Sequence, residues 1–250
     1  MIQIQKFRFN AFEENCYLVR GEEMEECVII DPGFDTETDW EKLRGSIQKY
    51  NLRPVAALLT HAHPDHTYGV RRLCDEYDIP VYVAGAEKHT VESLPALCRG
   101  IGHSITEDFT DRIVWTRDSQ HIVVDRRGAR LEDEEVAEEG YVRMSGESRE
   151  TGRDALDFKV LLTPGHSSGS VCYLCCGKVL FSGDTLFAGC IGRTDLVGGD
   201  YDALMQSIFT RILPLDGDTD VLPGHGSSTT VADERTKNPF LRPFNLPEES

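Results

Sequence analysis

Leu58-Leu59-Thr60-His61-Ala62-His63-Pro64-Asp65-His66-Thr67-Tyr68-Gly69 decides how the rest of the chain is read. Three histidines and an aspartate fall within six positions: His61, His63, Asp65 and His66. Ahead of them Val55-Ala56-Ala57-Leu58-Leu59 is short and wholly apolar, the pattern of a strand buried on both faces. Behind them residues 67–77 carry apolar side chains at helical spacing. The ligand-type side chains therefore sit on a turn at the carboxyl end of a buried strand, where open α/β sheets gather their chemistry. Imidazole and carboxylate at close quarters suit zinc, iron or manganese. A lone loop histidine is most simply a polar surface residue. Three with an aspartate at this spacing are not.

Length and composition bound what such a site can belong to. The 250 residues suit a single α/β domain spanning 1–250 with a sizeable core. Hydrophobic residues at 40% and charged residues at 28% are those of an ordinary soluble protein. No apolar run approaches the ~20 residues of a membrane span, and the first nine residues alternate like a strand, unlike a signal peptide. The eight cysteines are scattered through apolar segments, without zinc-ribbon spacing or a disulfide framework, so we expect reduced core residues in a cytoplasmic protein. A net charge of −17 repels phosphate backbones, which excludes nucleic acid as an expected partner and leaves a small molecule.

Along the chain, residues 2–9, 16–19 and 27–30 predict three antiparallel strands running into the turn Asp31-Pro32-Gly33. Asp31 is equally an ordinary turn former or a partner that orients a ligand histidine. A helix is predicted over 36–50, a strand over 79–83 and one or two short helices within 85–99. From about 85 to 155 the pattern weakens, apart from a strand at 120–124, and an insertion or lid is expected at about 100–155. Residues 132–150 hold eight acidic residues and two arginines, a solvated composition. His89, His103 and His121 lie in this weaker region without ligand company and read as structural or exposed. Order returns with a strand at 156–162, a hairpin at 170–181, a helix at 201–213 and a short strand at 221–222.

Four strand ends thus carry ligand types beside a glycine or tight turn: residues 61–66, His166, Asp184 and His225. The succession His-x-His-x-Asp-His, Pro-Gly-His, Gly-Asp-Thr and Pro-Gly-His-Gly resembles the metallo-β-lactamase fold superfamily. Residues 182–196 (SGDTLFAGCIGRTDL) and 223–240 are similar to the short glyoxalase II-like hydrolases, and the resemblance spans 1–84 and 156–241. It implies a four-layer αββα sandwich of two mixed sheets flanked by helices, an α/β fold. It also implies two divalent metal ions, of which zinc is the first expectation and iron or manganese the alternatives. His61, His63 and His166 would hold one, Asp65, His66 and His225 the other, with Asp184 bridging. A carboxylate can span cations ~3.5–4 Å apart, the two-metal hydrolase arrangement in which a bridging hydroxide attacks a carbonyl. Asp65 and Asp184 are then the catalytic carboxylates, and no serine or cysteine nucleophile is required. Cys190 is expected to be a core filler.

The implied activity is hydrolysis of a thioester of the S-acyl-glutathione type. Full-length glyoxalase II enzymes add a C-terminal helical domain for glutathione, and only 25 residues follow His225, so that grip is expected to be missing. Arg193, Arg235, Lys237 and Arg242 are the cations left for a substrate carboxylate; Arg193 ranks first because it follows the glycine-rich loop leaving Asp184. Tyr68, next to the ligand loop, would line the pocket or cap the helix. The alternatives are a mononuclear-iron persulfide dioxygenase, which shares a Gly-Arg-Thr-Asp stretch, and a lactonase of the same fold. A β-lactamase has no specific feature behind it, and the acidic charge disfavours an RNA-processing nuclease. A silent regulatory module would show a lost ligand, and none is lost.

Overall fold

Central strands buried on both faces build two facing sheets. The computed structural model describes residues 1–103, 107–133 and 154–242. Strands β1 (Ile2–Phe9), β2 (Glu14–Gly21), β3 (Glu26–Ile30), β4 (Arg53–Leu58), β5 (Val81–Ala84) and β6 (Ile113–Thr116) lie side by side in that order. The β1–β2–β3 pairs are antiparallel and β3 through β6 run parallel, making a mixed sheet. The second sheet contains β7 (His121–Asp125), β8 (Gly128–Glu132), β9 (Leu156–Leu162), β10 (Val171–Cys175), β11 (Val179–Gly183), β14 (Asp220–Pro223) and β15 (Thr229–Thr230). Its order is β15-β14-β11-β10-β9-β7-β8, with β11 and β14 the parallel pair. A small hairpin, β12 (Leu186–Phe187) and β13 (Cys190–Ile191), stands apart.

Alternate residues of each strand feed different cores. Val28, Ile30, Ala56 and Leu58 point between the sheets towards Phe158, Val160, Tyr173 and Phe181. Ile29, Ala57 and Leu59 point outwards onto Trp40, Leu43 and Ile47 of α1 (Glu37–Lys49), Leu73 of α3 (Val70–Tyr77) and Leu94 of α4 (Lys88–Gly100). On the far side Leu161, Cys172, Leu180 and Val221 meet Leu204 of α5 (Tyr201–Ser207) and Val231 of α6 (Val231–Lys237). Each valine, leucine, isoleucine or phenylalanine so buried contributes about 1.5–3 kcal/mol relative to exposure. The order helix, sheet, sheet, helix is the αββα sandwich expected. Among the described residues no helix is long and apolar enough to cross a membrane.

The differences from sequence expectation have local causes. The helix expected over 67–77 begins earlier, with Pro64 opening the short turn α2 (Pro64–Thr67), and restarts after Gly69. A Cβ at Gly69 would stand 2.4 Å from the Phe34 ring, so the chain can pass there only without a side chain. The helix expected over 201–213 becomes a π-helical turn at Ile208–Ile212. Strands β6, β7 and β8 occupy the described part of 100–155, and the sparse apolar spacing of β8 concealed it. The solvated run expected at 132–150 falls largely on 134–150, outside the described residues, and the lid expected at about 100–155 falls there in part.

Candidate metal centre

The carboxyl ends of β4, β9, β11 and β14 converge at one edge of the sandwich. Val171 N–H donates to Thr60 O at 2.8 Å, which ties the two sheets together there. Leaving β4, the chain delivers His61 and His63; Pro64 then starts α2, so Asp65 and His66 project from a helical turn. His166 follows β9, Asp184 follows β11 and His225 follows β14. Gly224 permits a close approach: a Cβ there would lie 2.3 Å from Asp184 Oδ1 and 2.7 Å from His66 Cε1.

All seven expected side chains meet. His63 Nδ1 lies 2.9 Å from His166 Nε2. Asp184 presents Oδ1 at 3.6 Å from His66 Nε2, and Oδ2 at 3.6 Å from His166 Nε2 and 3.5 Å from His225 Nε2. Asp65 Oδ2 is 3.3 Å from His225 Nε2 and 3.7 Å from His66 Nε2. Donor atoms of His61, His63 and His166 lie within 4.8 Å of one another, as do those of Asp65, His66 and His225. These are the two triads implied by the sequence resemblance, and a carboxylate of Asp184 faces both.

The outward faces of the rings are fixed. His166 Nδ1 donates to Arg193 O at 2.9 Å and His225 Nδ1 to Phe12 O at 3.0 Å. His61 Nδ1 donates to Thr60 Oγ1 at 3.1 Å, and that hydroxyl donates onward to Asp31 Oδ2 at 2.7 Å. The same Oδ2 lies 3.1 Å from His66 Nδ1. Asp31 therefore serves as both turn former and orienting partner, with φ at +49° and its Oδ1 accepting from Thr60 N–H. In these four rings Nδ1 faces outward and leaves Nε2 as the inward donor, whereas His63 turns its Nδ1 to His166.

Charge separates the two triads. Burial, then the neighbouring imidazoles, hold His61 well below the ordinary histidine range. Burial and His166 bring His63 down to about 3. Burial would lower His66 too, but Asp65, Asp31 and Asp184 outweigh it and hold it well above its usual value. His225 is likewise raised against its burial, by Asp65 and Asp184. Burial opposes ionisation of Asp65, yet His66 and His225 hold it below the usual carboxylate range. Beneath them Glu14 is fully buried, and desolvation followed by the adjoining carboxylates raises it well above normal, with His66 opposing.

The donor set fits divalent cations. His61 Nε2, His66 Nε2 and Asp184 Oδ1 are buried with no hydrogen-bond partner, an arrangement that costs ~1–3 kcal/mol per group unless a ligand satisfies it. Converging imidazole and carboxylate donors with oriented outer nitrogens are those of zinc, iron and manganese sites.

Other expected residues lie further out. Arg193 lines the cavity over the centre, but its guanidinium forks onto Asp195 at 2.7 and 2.8 Å. Tyr68 caps α2 and its ring stacks on His103 at 4.0 Å; it is not among the described residues lining the cavity. Arg235 donates to Leu213 O and Lys237 pairs with Asp233, both at α6. Cys190 is not a core filler: strand alternation turns Ile191 inwards and leaves Cys190 exposed. Cys176 is half-buried and the other six cysteines are buried. His121 is buried with its Nδ1 2.7 Å from Asp157, and His89 is exposed.

Sequence reasoning missed the supports. Glu87, fully buried, accepts from Ala62 N–H at 2.8 Å, Ser167 Oγ–H at 2.6 Å and Gly169 N–H at 2.9 Å, clamping two ligand loops. Asn15 Nδ2 and Tyr17 Oη hold Pro223 O beneath the His225 loop. A lone Glu between a strand and a helix carries no motif, so nothing local marks it.

A two-sheet αββα sandwich with histidines and aspartates gathered at its strand ends defines a class of metal-dependent hydrolases. The sequence matches the Metallo-beta-lactamase superfamily over residues 10–225, and the chain belongs to that superfamily. It is 32% identical over 242 residues to a Haemophilus influenzae protein named hydroxyacylglutathione hydrolase GloC, covering 96% of this chain and 98% of that one. Among solved structures it is similar to the BLEG-1 B3 metallo-beta-lactamase, at 34% identity and a TM-score of 0.74, covering 96% of this chain and 99% of the other. It is also similar to TTHA1623, determined in a di-iron-bound form, at 33% identity and a TM-score of 0.71, over 95% and 100% of the two chains.

Proposed function

We propose that this chain is a thioester hydrolase of the S-acyl-glutathione type that works with two divalent cations. His61, His63 and His166 would hold one and Asp65, His66 and His225 the other, with the Asp184 carboxylate facing both sets. The observation that carries the assignment is the pairing of outward nitrogens with inward orphans: the rings are anchored from behind while His61 Nε2, His66 Nε2 and Asp184 Oδ1 are left without hydrogen bonds. Bound dications supply a deprotonated water at neutral pH and polarise the carbonyl under attack.

The chain's own residues set the conditions for that chemistry. Asp184 and Asp65 offset the cationic charge, and Asp65 stays an ionised acceptor because His66 and His225 favour its anion. Thr60, Asp31, Arg193 O and Phe12 O fix the ring orientations, so little reorganisation is left for the reaction itself. A cavity of about 620 Å³ opens over His63, Asp65, His166, Asp184 and His225, large enough to receive an acyl group beside them. The likeness to the protein named hydroxyacylglutathione hydrolase supports the thioester. The di-iron form of TTHA1623 supports a pair of cations and adds iron to the metals tested beside zinc.

The test is elemental analysis of purified protein alongside turnover of thioester, lactone, β-lactam and persulfide substrates. Fastest turnover of an S-acyl thioester, lost on chelation and restored by metal, is expected. Faster β-lactam cleavage, in the manner that the BLEG-1 name describes, or oxygen uptake with a persulfide, would overturn it.

A further inference from the structure

The cavity over the metal centre has apolar walls. Phe12, Leu97, Ile101, Phe187, Leu196 and Val197 form them, and the ligand residues form the floor. Four of these are large hydrophobic side chains left open to solvent: Phe12 at 47%, Ile101 at 49%, Leu196 at 39% and Val197 at 74%. They come from three separate places in the sequence, the β1–β2 connection, the end of α4 and the segment between β13 and α5. Scattered exposed apolar residues are ordinary, but several collected around one mouth mark a binding surface. Among the described residues lining the cavity, Arg193 is the sole lysine or arginine, and Asp195 occupies its guanidinium. The walls therefore offer apolar contact and little to receive a polar or anionic acyl group.

Resting on the thioesterase reading above, we infer that the preferred substrate carries an unbranched apolar acyl chain, which lies in this funnel with its thioester carbonyl at the Asp184 end. A small hydroxyacyl group would leave the walls uncovered and its own hydroxyl without a partner there. Burial of apolar surface then drives recognition. Each methylene that leaves water should raise kcat/KM about fourfold until the funnel is filled.

The experiment holds the thiol carrier constant. S-acetyl-, S-butanoyl-, S-hexanoyl-, S-octanoyl- and S-lactoylglutathione are compared on metal-loaded enzyme. Binding of S-(2-oxoalkyl)glutathione thioethers of matching lengths, which cannot be hydrolysed, is measured by calorimetry. The inference expects kcat/KM to climb along the acyl series, lactoyl to fall below butanoyl, and affinity for the thioethers to rise with chain length. Ile101→Glu and Val197→Glu, both at exposed positions, should lower octanoyl kcat/KM about tenfold. A flat series, or lactoyl exceeding octanoyl, overturns it. If no thioester is cleaved yet thioether affinity still climbs, the thioesterase reading fails and the apolar funnel stands. If that affinity is flat as well, the funnel is refuted on its own account.

Discussion

At the scale of single residues, the carboxylates of the centre do different work. Asp184 sends its two oxygens towards different histidines, Oδ1 to His66 and Oδ2 to His166 and His225. Asp184→Asn keeps the shape but would remove the charge that offsets the two dications of the proposed centre. Turnover should fall a hundredfold to a thousandfold, about 3–4 kcal/mol of barrier, and metal content should drop while the circular dichroism spectrum is retained. An unaltered rate and metal content would remove Asp184 from the centre. Asp31 acts one layer behind, near His66 Nδ1 and holding the Thr60 hydroxyl that receives His61 Nδ1–H. Asp31→Asn should weaken metal affinity about 10–100-fold, measured by competition with a chelator of known affinity. The ligand types at four strand ends were legible in the sequence, because histidine or aspartate beside glycine at the end of one apolar run after another does not arise by chance. The role of Asp31 was open there, since Asp-Pro-Gly is also a turn signal.

At the scale of elements, the centre depends on how loops from two sheets are held in register. Glu87 stands between β5 and α4 and accepts three hydrogen bonds from the loops bearing His61, His63 and His166. In Glu87→Gln an amide NH2 must face at least one buried donor. Leaving such a donor unmatched costs about 1–3 kcal/mol. The thermal midpoint of metal-free protein should fall roughly 2–12 °C. An unchanged midpoint would show that the clamp carries no stability. Strands 2–9 and 156–162 matched their expected bounds because each has an apolar face bounded by turn residues. β6 and β8 were missed: their side chains are mostly half-buried, so the alternation that announces a strand is weak. Glu87 was invisible for a different reason, since its partners are distant in sequence and two of them are backbone N–H groups.

At the scale of the whole molecule, an acidic chain with net charge −17 concentrates Glu14, Asp31, Asp65 and Asp184 at one edge of its sandwich. Such a cluster favours cations, so metal-replete protein should bind up to two per chain. No more than one would move weight to a mononuclear enzyme. At one hundred times the dissociation constant, binding to the folded state alone adds about 2.7 kcal/mol of stability, readable as a rise in thermal midpoint. The two cations should also leave at different pH. Imidazole must be neutral to ligate, so protons compete with metal only where the metal-free ring takes them up. His61 and His63 are held low by burial, His63 to about 3, so these two rings take up few protons through mild acid. His66 and His225 are held high by the carboxylates around them, so in the metal-free protein they already bind protons as pH falls through their raised values. Affinity at the Asp65–His66–His225 site therefore declines first as pH is lowered. Dialysis of the two-metal protein at stepped pH, followed by elemental analysis, should give a plateau near one cation per chain before the second is lost. His225→Ala should abolish the cation that leaves first and keep the plateau cation. Simultaneous loss in the native protein, or loss of the plateau cation in the variant, would refute the division of the centre into a neutral and an acid-sensitive half.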